Sequence, residues 1–143
     1  AVCGLFCQDV LEGLLVKIVR EAAVSMRIVQ PPSKSKECAA AKRYIDENFS
    51  ENITLDKLAE ITHVNKYYLS HTFQREYNTS PINYLLNRRI TESKALLTST
   101  DFSLTQISEQ MGFSSPAYFS QSFRRFTGQS PLEYRRKNQP GNK

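Results

Sequence analysis

Residues 112–135 read GFSSPAYFSQSFRRFTGQSPLEYR. Phe119 and Phe123 stand four apart, one turn of a helix, so both fall on the same side. Phe126 extends that stripe, and Gln121, Arg124 and Arg125 lie away from it. Ser115-Pro116 opens the stretch and Ser130-Pro131 follows it. A serine that caps the first turn, with proline at the first helical position, is a strong helix start. Proline lacks only an N–H that would be unpaired there anyway. The spacing therefore predicts two successive helices, the first apolar on one side and polar and basic on the other.

The same pattern occurs earlier. Ile53, Leu55, Leu58, Ala59 and Val64 align with Phe102, Leu104, Ile107, Ser108 and Phe113 at an offset of 49. Beyond that the offset is 50. Leu69 meets Phe119, Phe73 meets Phe123, Ser80-Pro81 meets Ser130-Pro131 and Tyr84 meets Tyr134. One extra residue within residues 113–119 explains the step, and loops absorb such insertions readily. The unit that occurs twice is an apolar helix, a short turn, a helix with an aromatic stripe, then a Ser-Pro start. Its middle is a helix-turn-helix pattern. His63 and Val64 in the first copy, and Gly112 and Phe113 in the second, fall at the turn. The small Ala59 and Ser108 allow close helix approach.

Outward from the repeat, the pattern from residue 35 on is almost all helical, without long alternating β-branched runs. Seven helices are predicted there. They cover about residues 36–49, begin after Thr54 and Asn65, run from the Ser80 cap to about Ser99, and begin after Ser103, Ser115 and Ser130. The fold class is all-α: two helix-turn-helix subdomains, about residues 37–80 and 81–138, joined by a long connecting helix within residues 37–143. Residues 1–29 read as one further helix with a wide apolar face. It suits an upstream domain or a second copy of itself. Residues 30–36, QPPSKSK, read as a stiff polar linker, because Pro-Pro cannot continue a helix.

Composition narrows the function. The 143 residues carry 19 Lys+Arg against 14 Asp+Glu, a net charge of +5, which suits a nucleic-acid or anionic partner. No stretch approaches the roughly 20 apolar residues of a membrane span. The apolar segment 5–28 is broken by Asp9, Glu12, Lys17, Arg20 and Glu21 and has no A-x-A site, so it does not read as a signal peptide. A cytoplasmic location is expected, and the lack of an initiator Met suggests a start inside a longer protein. Cys3, Cys7 and Cys38, with only His63 and His71, assemble no set of about four metal ligands, so reduced structural cysteines are expected. Cys38 has Ala neighbours and no nearby His. There is no Gly-rich phosphate loop and no G-x-S-x-G. No catalysis, metal or cofactor is expected.

The polar faces carry the chemistry. Tyr67, His71 and Gln74, and likewise Ala117, Gln121 and Arg124, are i, i+4, i+7 sets on one side of their helices. Ser70 and Ser120 lie beside them, with Lys66 and Arg75 near the ends of the first helix. Gln pairs with adenine in a major groove, Arg with guanine or phosphate, His and Ser donate or accept, and Ala or Pro touches a thymine methyl. Two such faces on repeated units point to DNA readout. Arg88, Arg89, Arg135, Arg136 and Lys137 are less specific, as phosphate contacts or solvated charges. The rival reading is a helical protein-interaction module, argued by the apolar face of residues 1–29.

This constellation resembles the C-terminal DNA-binding domain of the AraC/XylS family of bacterial transcription regulators. The second copy carries the likeness in Ile107, Gly112-Phe113, Tyr118-Phe119, Phe123-Arg124, Gly128, Ser130-Pro131 and Tyr134-Arg135. The connecting helix carries it in Arg89-Ile90, Ala95 and Leu96-Leu97. The resemblance implies a sequence-specific regulator, more often an activator, whose two recognition helices enter successive major-groove segments about 34 Å apart. Carried over by position, the base-reading residues are Tyr67, Ser70 and His71, then Pro116, Ala117 and Gln121. Phosphate contacts fall to Lys66, Gln74, Arg75, Ser115, Arg124, Arg125 and Arg88. Gln121 stands where a longer basic residue is common, and Pro116 and Ala117 hydrogen-bond poorly. The second helix is thus expected to read shape and phosphate, and the first to hold target preference. The resemblance also implies RNA polymerase as a partner, a small-molecule effector bound by an upstream domain, and a homodimer contact through residues 1–29.

Overall fold

Capping chemistry sets every helix start but the first. The structure is a computed structural model and describes residues 34–141. The expected helix over residues 1–29, Cys3, Cys7 and most of the 30–36 linker lie outside the described residues. Among the described residues are seven helices and no strand: α1 (Lys36–Asn48), α2 (Leu55–Thr62), α3 (Lys66–Tyr77), α4 (Pro81–Ser99), α5 (Leu104–Gln110), α6 (Pro116–Thr127) and α7 (Pro131–Asn138). Thr54 Oγ1 accepts from the Lys57 N–H, Asn65 Oδ1 from Tyr67, Ser80 Oγ from Asn83 and Ser115 Oγ from Tyr118. Ser103 and Ser130 form reciprocal capping boxes with Gln106 and Glu133. Each cap satisfies an otherwise orphaned donor and contributes about 1 kcal/mol.

Two cores share one helix. Cys38, Ala41 and Ile45 of α1 pack with Ile53, Leu58, Leu69, Phe73 and Leu85. Leu86, Ile90 and Leu97 of α4 pack with Ile107, Met111, Phe113, Phe119 and Phe123. Adjacent residues of α4, Leu85 and Leu86, thus enter different cores, and Phe49 packs against both. Phe73, Phe119 and Phe123 are fully buried, each contributing roughly 1.5–3 kcal/mol. The stripes expected of the two aromatic helices are therefore the anchors of the two units.

Both turns close in the same way. Val64 N–H donates to the Ala59 carbonyl and His63 N–H to Glu60; Phe113 N–H donates to Ser108 and Gly112 N–H to Glu109. These are Schellman closures with a left-handed residue, His63 at φ 59 and Gly112 at φ 85. His63 is thus a strained helix cap. The caps Asn65 and Ser115 already stand 50 apart, so the inserted residue lies in the turn, at residues 113–115.

Two arginines differ from their expected roles. Arg89 is 6% exposed, too buried for a phosphate or for solvent. Its Nε donates to the Phe49 carbonyl at 2.6 Å and its Nη2 to the Glu51 carbonyl at 2.7 Å. Its Cζ lies 5.6 Å from the Phe113 ring centroid, and burial lowers its pKa. No carboxylate pairs with it among the described residues. Half-buried Arg135 donates to the carbonyls of Leu97 and Phe102, closing the loop between α4 and α5. Neither role is visible from helix periodicity, because the acceptors lie more than 30 residues away.

A polar network ties α1 to α4. Asp46 accepts from Tyr84 Oη at 2.7 Å, pairs with Lys42 at 3.2 Å, and pairs with Arg88 at 3.4 Å. Arg88 also pairs with Glu92 and lies over Phe49. Burial, then the bond to Asp46, raises the Tyr84 pKa above 10.0. The bond to Tyr84, then that to Asp46, raises the Lys42 pKa above 10.5. Both groups hold their protons more tightly folded than unfolded. Their contribution is complete below the unfolded pKa values and is lost as pH rises through the folded ones.

Urea unfolding tests both features. Gly112→Ala should cost roughly 2–4 kcal/mol, since a Cβ would add left-handed strain and stand 2.4 Å from the Ser50 carbonyl oxygen. Gly128→Ala, with φ 81 but nothing within 4 Å, should cost only about 1 kcal/mol. Equal losses would show that the Gly112 contact is not tight. Stability should also fall as pH rises above about 10, with a shallower fall in Tyr84→Phe. A wild-type profile flat through that range would contradict the network.

Candidate nucleic-acid interface

The aromatic anchors decide what each helix-turn-helix unit shows to solvent. In α3, Leu69, Thr72 and Phe73 are buried, and Tyr67, His71, Gln74 and Arg75 are exposed. In α6, Phe119, Ser122 and Phe123 are buried, and Ala117, Gln121, Arg124 and Arg125 are exposed. From the second residue of each helix onward the burial pattern is the same at an offset of 50. Ser70 and Ser120 are both half-buried beside the open face. Pro116 is exposed at the first turn of α6.

The two faces differ in chemistry. Tyr67 is 73% exposed and projects from the first turn of α3. With Tyr68, Ser70, His71 and Gln74 it lines a shallow open depression. This gathers five side chains that hydrogen-bond, of which two are phenols and one an imidazole. The α6 face has small apolar residues at its start, then Gln121 and Arg124. The first face can discriminate by hydrogen bonding and shape; the second offers methyl contacts, one amide and a cation.

The basic candidates divide into held and open charges. Lys66 Nζ lies 3.1 Å from Asp56 and 5.6 Å from the Tyr67 ring centroid, and the bond to Asp56 raises its pKa. The pair is exposed and therefore weak, so a phosphate can compete for the ammonium. Arg125 donates to Asn83 Oδ1 at 3.2 Å and lies over Phe126. Arg88 is held by Asp46 and Glu92. Arg75 and Arg124 are exposed and form no side-chain hydrogen bond or ion pair among the described residues. Ser115 Oγ accepts from the Tyr118 N–H, which leaves its own O–H to donate.

Sequence reasoning passed over Tyr68 and Tyr118 as surface residues. They are 49% and 39% exposed, and Tyr118 packs edge-on against Phe113 at 5.7 Å. Both fall one position off the i, i+4, i+7 set, but their recurrence at an offset of 50 was a usable signal. Among the described residues there is no group of acidic, His or Cys side chains able to hold a metal, and no helix long and apolar enough to cross a membrane.

Known proteins share this arrangement. A helix-turn-helix domain family matches residues 58–137. The HTH-type transcriptional regulator YdiP of Escherichia coli K12 is 41% identical over 93 residues, 65% of this chain and 31% of that protein. YisR of Bacillus subtilis, of the same type, is 33% identical over 129 residues, 90% of this chain and 43% of that protein. The chain thus spans less than half the length of either relative. Among solved structures, the C-terminal domain of AraT, a response regulator from Geobacillus stearothermophilus, is similar at a TM-score of 0.71 and 33% identity, over 76% of this chain and 90% of that one. The DNA-binding domain of the global transcriptional factor AdpA, solved with a target DNA, is similar at 0.66 and 26%, over 71% and 91%. A probable AraC family regulator from Rhodopseudomonas palustris CGA009 is similar at 0.67 and 26%, over 74% and 100%. With its two capped helix-turn-helix units on one shared helix, the chain belongs to the AraC-type helix-turn-helix family of transcriptional regulator DNA-binding domains.

Proposed function

We propose that the chain is the DNA-reading part of a transcription regulator, with α3 and α6 entering successive major-groove segments on one side of a duplex. The observation that carries this reading is the pair of equivalent open faces, each opposite a buried stripe and both on helices built against α4. The DNA complex of the similar AdpA domain supports it, as does the net charge of +5.

Tyr67, Ser70 and His71 read bases in the first unit, with Gln74 beside them. Pro116, Ala117 and Gln121 face the groove in the second. Arg75, Arg124 and the Ser115 hydroxyl bind phosphates, and Lys66 joins them on leaving Asp56. Arg125 steadies α6 against α4 through Asn83 unless a phosphate draws it away. Arg88 acts inside the unit. Target preference resides mainly in α3, since its face carries more groups able to tell one base edge from another. The fuller protein would act in the cytoplasm as an activator that touches RNA polymerase. An upstream domain would take a small-molecule effector, and residues 1–29 would provide a homodimer contact. These further roles rest on family resemblance.

Selection of bound duplexes from a random pool, followed by salt titration, tests the reading. The expected winner has two short motifs about one helical turn apart, and its affinity falls steeply with salt. Weak, salt-insensitive binding without enrichment would favour a protein-interaction module. On the selected site, His71→Ala and Tyr67→Ala should each cost about 1–3 kcal/mol and relax preference at particular bases. Arg124→Ala should weaken all sequences alike and reduce the salt slope by about 1. Identical behaviour of the two classes on selected and scrambled duplexes would overturn the division of roles.

A further inference from the structure

Besides the shared helix, the two units meet between two loops. There the loop between α1 and α2, in the first unit, lies against the turn between α5 and α6, in the second. A Cβ on Gly112 would stand 2.4 Å from the Ser50 oxygen and 2.8 Å from its carbonyl carbon. The two backbones therefore touch without room for a side chain. Arg89 lies beneath this contact. It rises from α4, binds the carbonyls of Phe49 and Glu51 on one side, and lies against Phe113 and Gly112 on the other.

The location matters because Gly112 stands three residues before Ser115, the cap of α6. Whatever fixes Gly112 against the first unit also fixes where α6 begins. We infer that Arg89 is a positioning residue that sets the base-pair spacing between the two DNA motifs the domain accepts; this rests on the DNA reading proposed above. Arg89 touches no DNA itself, being buried. It clamps the first unit's loop against the second unit's turn, and α6 is carried with that turn.

Guanidinium geometry suits the task. Its fork places two N–H donors at fixed separation, so both carbonyls are held at once, while its flat face covers an aromatic ring. A lysine has a charge and a stem of similar reach, but its three donors share one rotating nitrogen and it has neither a fixed fork nor a flat face. Arg135 supplies an internal control. It bridges two carbonyls in the same manner, Leu97 and Phe102, but within the second unit alone.

The experiment uses the full chain with Cys3→Ser and Cys7→Ser. Spin labels are placed at exposed Glu60 in the first unit and exposed Gln110 in the second, each through a cysteine substitution. Label-to-label distances are measured without DNA. In parallel, affinities are measured for the selected duplex, for duplexes with its two motifs moved apart or together by two base pairs, and for a duplex with one motif.

The starting protein should give one narrow distance distribution and prefer the native spacing by about tenfold or more. Arg89→Lys, at unchanged helicity, should broaden the distribution about twofold and reduce the preference to about threefold or less, with single-motif affinity kept within about twofold. Arg135→Lys should lower stability but keep the narrow distribution and the spacing preference. A narrow distribution in Arg89→Lys, or equal loosening in Arg135→Lys, would overturn the inference. So would joint unfolding of both units in Arg89→Lys, which would make Arg89 a core member. If the starting protein selects no duplex, the DNA reading fails and the spacing role with it, while the distances still decide whether Arg89 is the clamp.

Discussion

A guanidinium removed from water needs acceptors, and Arg89 takes its acceptors from backbone. Burying a charge without partners costs several kcal/mol. Two carbonyls and an aromatic face meet that demand only when the loop at residues 49–51 folds back over α4 and Phe113 slides beneath it. The need to satisfy one side chain therefore dictates the path of a loop in one unit and the seat of a turn in the other. Gly112 completes the arrangement, because a side chain there would collide with Ser50.

Around that junction, α4 does the work of two helices. Leu85 belongs to the first core and Leu86 to the second, about 100° further around the same helix. Ile90 and Leu97 extend the second face, while the Asp46 network holds the side toward α1. A helix with so divided a surface is solvated on only part of its circumference. Its mixed composition is the product of two apolar stripes and a polar seam. It does not resemble an ordinary amphipathic pattern, with one apolar side and one polar side.

Features whose causes are local were legible in the sequence. Ser103, Ser115 and Ser130 announce helix starts because the hydroxyl and the N–H it binds are three residues apart. Phe119 and Phe123 announce a buried stripe because helical spacing superimposes them. The repeat announced two equivalent turns, and both closed alike. Features whose causes are distant stayed hidden. Arg88, Arg89 and Arg135 are the same residue type on helices, yet one is ion-paired, one is buried beneath a loop, and one closes another loop. Arg89 and Arg135 owe their states to carbonyls 33 to 40 residues away, whereas Arg88 is paired both within its own helix, with Glu92, and at a distance, with Asp46. On the polar faces, periodicity picked out the exposed set, but the attachment of Lys66 to Asp56 and of Arg125 to Asn83 depended on neighbouring helices.

The matching burial of α3 and α6 has a consequence for how such a domain changes over generations. In each helix the side chains that hold the fold and those that face outward are largely separate sets, with Ser70 and Ser120 half-buried between them. Exposed positions away from caps and networks tolerate substitution within about 0.5 kcal/mol. A lineage can therefore rewrite Tyr67, His71, Gln74 or Gln121 one at a time without crossing the threshold of unfolding. On the DNA reading proposed above, the repeat then supplies two separate base-reading faces on one frame. On that reading, one face can drift toward a new target while the other keeps the molecule on its old one.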